Sequence, residues 1–143
     1  MASRDIDNAL VTKLLADTTL MALTPGQVFW DEGPPNLTRY IVVSLVNPHD
    51  EPMFGGRAFE ENIYAVKAVM RSDSGGNIAA AEARIDALLG ADGATLTVSG
   101  YTQALVRRWP EQPRIRQTER DEADDTIRWQ HAGGYYEVWM SPS

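Results

Sequence analysis

The segment RYIVVSLV, residues 39–46, decides the fold of this chain. It is rich in β-branched residues and nearly continuous in apolar ones, which is typical of a strand covered on both faces. A second strand is predicted at residues 62–71, where alternate positions are apolar. One face of that strand carries Tyr64, Val66, Ala68 and Met70. These two segments predict the strands around which the other elements are arranged.

Helical periodicity on either side of these strands predicts two helices. Residues 5–17 carry apolar residues at helical spacing, and Asp5 is a suitable N-cap. Residues 77–89 repeat the pattern, with Ser74 or Asn77 as the N-cap and Gly90 as the end. The apolar stripes are Ile6, Leu10 and Leu14 in the first helix and Ile78, Ala81, Ile85 and Leu88 in the second.

Further short strands are predicted at 27–30, 95–99, 102–109, 114–120, 126–131 and 135–140. A hairpin loop at 132–134 is expected to join the last two. The order α-β-β-α followed by strands predicts an α+β fold: a single domain, residues 1–143, with a mostly antiparallel sheet and two helices packed on one face. Between the central strands, residues 47–61 are predicted to form a long loop or hairpin arm.

The composition excludes several classes of function. The chain has 20 acidic and 13 basic residues and a net charge of −7, which argues against gripping nucleic acid or an anionic membrane. It has no cysteine, so disulfides, thiolate catalysis and Cys–zinc sites are excluded. The longest apolar runs are too short to span a bilayer, and we do not expect the N-terminal segment to act as a secretory signal. We therefore expect the protein to be made and used in a cytoplasm.

Three features that resemble catalytic or binding sites have simpler explanations. Gly75 and Gly76 precede a helix as in a phosphate loop, but no lysine follows, so a strand-to-helix turn is favoured. His49 and His131 have no partner at ligand spacing, and His131 is expected on a sheet face. The acids between Glu119 and Asp125 are expected in a solvated turn. We therefore predict no catalytic residue, no metal and no cofactor.

Two features of the sequence are not explained by a simple monomer. The first is a group of large aromatics near the end of the chain, expected mostly in the core: Trp109, Trp129, Tyr135, Tyr136 and Trp139. The second is the 47–61 segment, which places Met53, Phe54 and Phe59 among polar residues. We expect this segment to contact an adjacent subunit, with Phe54 and Phe59 as anchors and Arg57 paired with a neighbour's acid. The alternative is a flexible surface loop.

The order of elements resembles the tail terminator, or tail completion, proteins of long-tailed phages and phage-derived particles. The resemblance rests on VTKLLADTTLMAL, VFWDEGPP, RYIVVSLV, NIYAVKAVM, IAAAEARIDALL and the final RDEADDTIRWQHAGGYYEVWM. In that family, an acidic turn typically leads into the last pair of strands. The segment NPHDEPMFGGRAFEE and the final SPS have no counterpart in the pattern.

The resemblance implies a virion protein at the head–tail junction, assembled in the host cytoplasm. It would form a homohexameric ring on the last ring of tail tube protein, stop tube growth and face the head–tail connector or stopper protein. Genome DNA would pass through without specific binding, and an acidic channel would repel its phosphates. No catalysis, cofactor or membrane contact is implied.

Two other functions stay open at the level of sequence. A small-molecule-binding or regulatory module with a ferredoxin-like α+β fold would suit the same elements. An enzyme that uses the acids of residues 119–125 is a weaker alternative, because no base, metal ligand or nucleophile accompanies them.

Overall fold

The computed structural model describes residues 4–34, 36–53, 56–91, 94–110 and 113–142, of which 47–53, 56–59, 104 and 142 are described by their backbone only. The predicted α+β fold is confirmed. The elements are α1 (Arg4–Ala16), α2 (Thr18–Leu23), β1 (Val28–Trp30), β2 (Arg39–Met53), β3 (Gly56–Arg71), α3 (Ile78–Leu89), β4 (Tyr101–Arg108), β5 (Ile115–Arg120) and β6 (Arg128–Pro142). Within this part of the chain, no helix is long and apolar enough to cross a membrane.

The described strands form one sheet of six, in the order β1-β2-β3-β6-β4, with β5 also paired to β6. β1 and β2 are parallel, and all other pairs are antiparallel. β4 and β5 lie on the same side of β6, where β4 pairs with residues 136–142 and β5 with residues 128–133. β6 therefore joins β4 and β5 to the long β2–β3 hairpin.

Two sequence predictions about the last third of the chain are wrong. The expected hairpin loop at 132–134 lies inside β6, which pairs with β3 without a break. Gly133 is needed there because a Cβ atom would come within 2.0 Å of the Val66 carbonyl oxygen. The expected strand at 95–99 is irregular, since the Gln103 side chain binds its backbone at Ala94 and Leu96 in place of a neighbouring strand.

Local hydrogen bonds explain where the helices begin. The predicted first helix already includes Arg4, so Asp5 lies in its first turn and is not the N-cap. This helix ends at Ala16, and Asp17 caps the short α2 by accepting from the Leu20 N–H. The same carboxylate binds Arg84 of α3 at 2.6 and 2.8 Å. Asn77, one of the two predicted caps, accepts from the Ala80 N–H at the start of α3. One short helix is thus added to the two predicted ones.

The helices cover one face of the sheet. α3 packs on β3, β4 and β6, α1 packs on β1, and α2 joins α1 to α3. The core between them includes Ile6, Leu10, Leu14, Ile41, Val43, Tyr64, Val66, Ile85, Leu89, Tyr136 and Val138. On the other face, a small cluster of Tyr40, Val42 and Val69 is covered by Phe29, Leu37 and Trp129.

Candidate assembly surfaces

The glycine pair before α3 forms a turn. Gly75 has a φ of +73°, a conformation that glycine adopts readily. The Gly76 N–H donates to the Ser74 hydroxyl at 3.3 Å, and Asn77 occupies the helix N-terminus at 3.1 Å from the Ala80 nitrogen. The predicted strand-to-helix turn is therefore confirmed.

The acids between β5 and β6 build the turn that the sequence predicts. The Asp121 carboxylate accepts from the N–H groups of Ala123 and Asp124, both at 3.1 Å, and from the Trp129 indole at 2.8 Å. Asp124 accepts from the backbone and hydroxyl of Thr126. These bonds to the ionised form lower the pKa of both Asp121 and Asp124.

His131 lies on the face of the sheet opposite the helices, as expected. Its Nε2 is 3.6 Å from a Glu119 carboxylate oxygen, and its side chain is 12% exposed. Burial, and then the charge of Lys67, lower its pKa, while Glu119 opposes this shift. His49 lies on β2 at the other end of the sheet, paired with Glu61. Among the described residues, no group of His, Asp and Glu has the geometry of a metal site.

The terminal aromatics do not share one environment. Tyr136 is fully buried under α3, where burial raises its pKa to about 12. Trp109 and Tyr135 meet edge to face on the opposite side of the sheet, with ring centroids 6.5 Å apart. Trp129 is fixed by the Asp121 carboxylate. The expected core role holds for Tyr136, whereas Trp109, Trp129 and Tyr135 remain partly exposed on the face without helices.

The 47–61 segment, hereafter the arm, is the outer part of the β2–β3 hairpin. Its strands stay paired as far as Met53 and Gly56, with Pro52 opposite Arg57 and Glu51 opposite Phe59. The register places the predicted contact residues Met53, Arg57 and Phe59 near the tip, and Phe54 lies outside the described residues. β6 pairs with β3 only from Glu60 onward, and β1 pairs with β2 only as far as Val43. Among the described strands, β2 and β3 pair only with each other over residues 51–59.

Buried polar groups hold the root of the arm in place. Glu60 is 1% exposed and accepts from the Tyr101 hydroxyl at 3.1 Å. The Tyr64 hydroxyl donates to Asp7 of α1 at 2.5 Å and accepts from the Asn62 amide at 3.1 Å. The sequence does not predict this network, because Glu60 and Asn62 resemble surface residues in an acidic segment. Glu60, Asn62 and Tyr64 are alternate residues of one strand, and this spacing was the signal that they share a buried face.

A row of arginines lies along β5. This row was not predicted from the sequence either. Arg114 and Arg116 share the buried Glu82 of α3, at 2.6 and 3.1 Å, and remain 40% and 71% exposed. Arg120 is exposed at the end of the same strand. Two guanidinium groups on one carboxylate leave an excess positive charge. The alternation in RIRQTER, residues 114–120, was the signal for this arginine row.

Comparison with known proteins shows a shared fold. The sequence matches no family model and no curated protein. The structure is similar to a chain in the virion of a native gene transfer agent particle, with 23% identity, a TM-score of 0.61, and coverage of 95% of this chain and 94% of that one. A second solved structure has 22% identity, a TM-score of 0.56 and coverage of 100% of both chains.

Proposed function

We propose that this protein is a structural component of a virion and, more specifically, a tail terminator. In this role, copies of the chain form a ring at the head-proximal end of the tail tube, stop its growth and join it to the head connector. The proposal includes a hexameric ring, contact with the tail tube protein and the connector, and no catalysis.

The arm is the observation that carries the proposal. A two-stranded hairpin is marginally stable in water by itself, and residues 51–59 pair only with each other among the described strands. The sequence places Met53, Phe54 and Phe59 there, and burying each large apolar side chain stabilises by roughly 1.5–3 kcal/mol. A neighbouring subunit or ring supplies the surface that this arm lacks.

Two independent observations support the same role. The fold is shared, over nearly the full length of both chains, with a chain in the virion of a gene transfer agent particle. The sequence resemblance leads to phage-derived particles without using that similarity. The net charge of −7 also suits a ring through which DNA slides, since like charge repels its phosphates.

The decisive experiment is a cryo-electron microscopy map of the particle that contains this chain. We expect six copies in a closed ring between the tail tube and the head connector. A different symmetry, or a location away from the head–tail junction, would contradict the proposal. Mass photometry of the purified protein then tests whether the ring forms without the tube.

Replacing the tip of the arm tests its role directly. We expect a short Gly-Ser linker in place of residues 53–59 to leave the melting temperature of the monomer unchanged, because the core lies elsewhere, and to abolish docking to tail tubes. The matched control is the same linker in place of residues 91–93, after α3. If docking survives the arm replacement, or if the control abolishes it equally, the arm is not the contact.

A further inference from the structure

The outer edge of the arm is the free side of β2, beyond the point where β1 ends. β1 pairs with β2 only as far as Val43, and among the described strands no other strand lies beside residues 45–53 on that side. A free edge of this length ordinarily presents a row of backbone N–H and C=O groups that can pair with another chain. Which residues direct their backbone groups outward therefore decides what this edge can bind.

The direction of the backbone groups along β2 follows from its hydrogen bonds and its register. Ile41 donates its N–H to the Gln27 carbonyl just before β1, so odd-numbered residues in this part of β2 point their backbone groups toward β1. The register shift between Leu45 and Asn47 inserts one extra residue and reverses this order. In the arm, residues 47, 49 and 51 thus point toward β3, and residues 48, 50 and 52 point to the outer edge.

Two of these three outward positions are prolines. Pro48 and Pro52 have no N–H, so Asp50 alone among them offers a donor on the outer edge. Proline is found in edge strands with its nitrogen toward solvent, which is the orientation that the register of β2 gives. An added strand pairs through a donor at every second residue, and this edge lacks them. The outer edge of β2 therefore does not pair with a regular strand of another chain.

The opposite edge of the arm is interrupted as well. β6 pairs with β3 only from Glu60 onward, which leaves residues 56–59 of β3 without a neighbour on that side among the described strands. Within this short stretch, Ala58 has no partner in β2, because the register shifts there. A bulge of this kind breaks the hydrogen-bond ladder and bends the strand. Neither edge of the arm is thus suited to the addition of a strand.

Two other free edges of the described sheet are protected in different ways. β1 is three residues long, and β5 is exposed along most of its length and carries charged residues such as Arg116 and Glu119. Short strands and charged side chains both discourage pairing with another chain. The outer edge of β2 is longer than β1, and its protection comes from prolines.

We infer that Pro48 and Pro52 close the arm to strand addition, so that the arm contacts its partner through the two faces of the hairpin. This inference rests on the proposed role of the arm and adds the kind of surface that receives it. That surface packs against the side chains of a two-stranded hairpin and is not the edge of another sheet. Before assembly, the same prolines keep the arms of separate copies from joining edge to edge.

Restoring the two missing donors tests the inference on the full chain. Pro48→Thr with Pro52→Thr places an N–H at both outward positions, and threonine is well suited to strands. We expect this variant to form assemblies of more than six copies at a protein concentration at least about tenfold lower than the natural chain needs, because its outer edge then pairs with other copies. Mass photometry over a concentration series measures the assemblies, and infrared spectroscopy shows the added intermolecular β-sheet.

The matched control is Asn47→Thr with His49→Thr. It introduces the same residue type in the same strand, but the N–H groups of these positions point toward β3, so the outer edge gains no donor. This control should behave like the natural chain. Adding Asp50→Pro to the first variant returns a proline to the outer edge and should reverse the association, even though it also removes a negative charge that keeps copies apart.

Docking to tail tubes separates this inference from the proposed function. If the arm docks through its faces, the first variant binds tubes within about threefold of the natural chain, since strand addition would instead gain affinity from each new main-chain hydrogen bond. Docking that is about tenfold tighter, a first variant that associates no more than the natural chain, or a control that associates equally would overturn the inference. If the Gly-Ser replacement leaves docking intact while the threonine variant still associates, the arm loses its proposed role but its edge is closed as inferred.

Discussion

The β2–β3 hairpin consists of the arm and of an inner part, the root, at residues 39–46 and 62–71. The root and the arm differ in their neighbouring strands and in their sequence pattern. In the root, Ile41 and Val66 are fully buried beneath the helices, with β1 and β6 on either side. Over residues 51–59 of the arm, β2 and β3 pair only with each other among the described strands, and acids, prolines and glycines replace the apolar alternation. One hairpin can therefore be stabilised at one end by its own domain while, among the described strands, its other end has no neighbouring strand.

The largest expected difference concerns apolar side chains in the two parts. Ile41→Ala should reduce the free energy of unfolding by about 2–5 kcal/mol, because it opens a cavity in a fully buried position. Met53→Ala, in the arm, should change it by less than about 0.5 kcal/mol, because β2 and β3 pair only with each other over residues 51–59 among the described strands. Urea denaturation of both variants measures the difference. Equal losses would mean that the arm is part of the domain core.

A smaller effect is expected where β6 lies against the root. Gly133→Ala should cost about 1–3 kcal/mol, since its Cβ would lie 2.0 Å from the Val66 carbonyl oxygen and the backbone must shift. Gly134→Ala is the matched control, because its nearest neighbour is the Tyr136 hydroxyl at 3.3 Å. We expect the control to stay within about 1 kcal/mol of the natural protein. Thermal unfolding of both variants tests whether the close approach of β3 is the reason that position 133 requires glycine.

The smallest effect is the pH dependence that comes from His131. The pKa of His131 is lowered in the folded protein, so below its ordinary value of 6.5 the unfolded chain takes up a proton first. Stability should therefore fall as the pH drops below about 6.5, until the folded-state pKa is reached. His131→Gln should flatten this part of the profile. Urea denaturation of the variant and of the natural protein at several pH values measures this, and an equally steep profile in both would contradict it.

Local sequence patterns predicted strands, helix caps and turns correctly where neighbouring residues alone decide the structure. The alternation at Tyr64, Val66 and Ala68 gave a face that is buried in the structure. Asn77 was one of two predicted caps, and the acids near Asp121 were predicted to form a turn. The interface residues Met53, Phe54, Arg57 and Phe59 remain a prediction, since no partner surface is present to test them.

The errors occur where residues outside the predicted element override its local signal. Gly133 and Gly134 resemble a hairpin loop, but β3 lies against them and makes them part of one long strand. Residues 95–99 resemble a strand, but the Gln103 side chain binds their backbone. The pattern within each segment does not reveal its partner, because β3 and Gln103 both lie outside the segment.

The sequence by itself determined the fold class, the central strands and the acidic, cysteine-free character of the chain, because periodicity and composition are local properties. Only the tertiary structure decided which polar residues are buried and which charges share a surface. Glu60 lies inside the domain because Tyr101 approaches it from another strand. Arg114 and Arg116 form a row because β5 lies beside α3 and its single Glu82 carboxylate. Such groupings depend on which strands pair, and strand pairing is fixed by contacts between residues far apart in the chain.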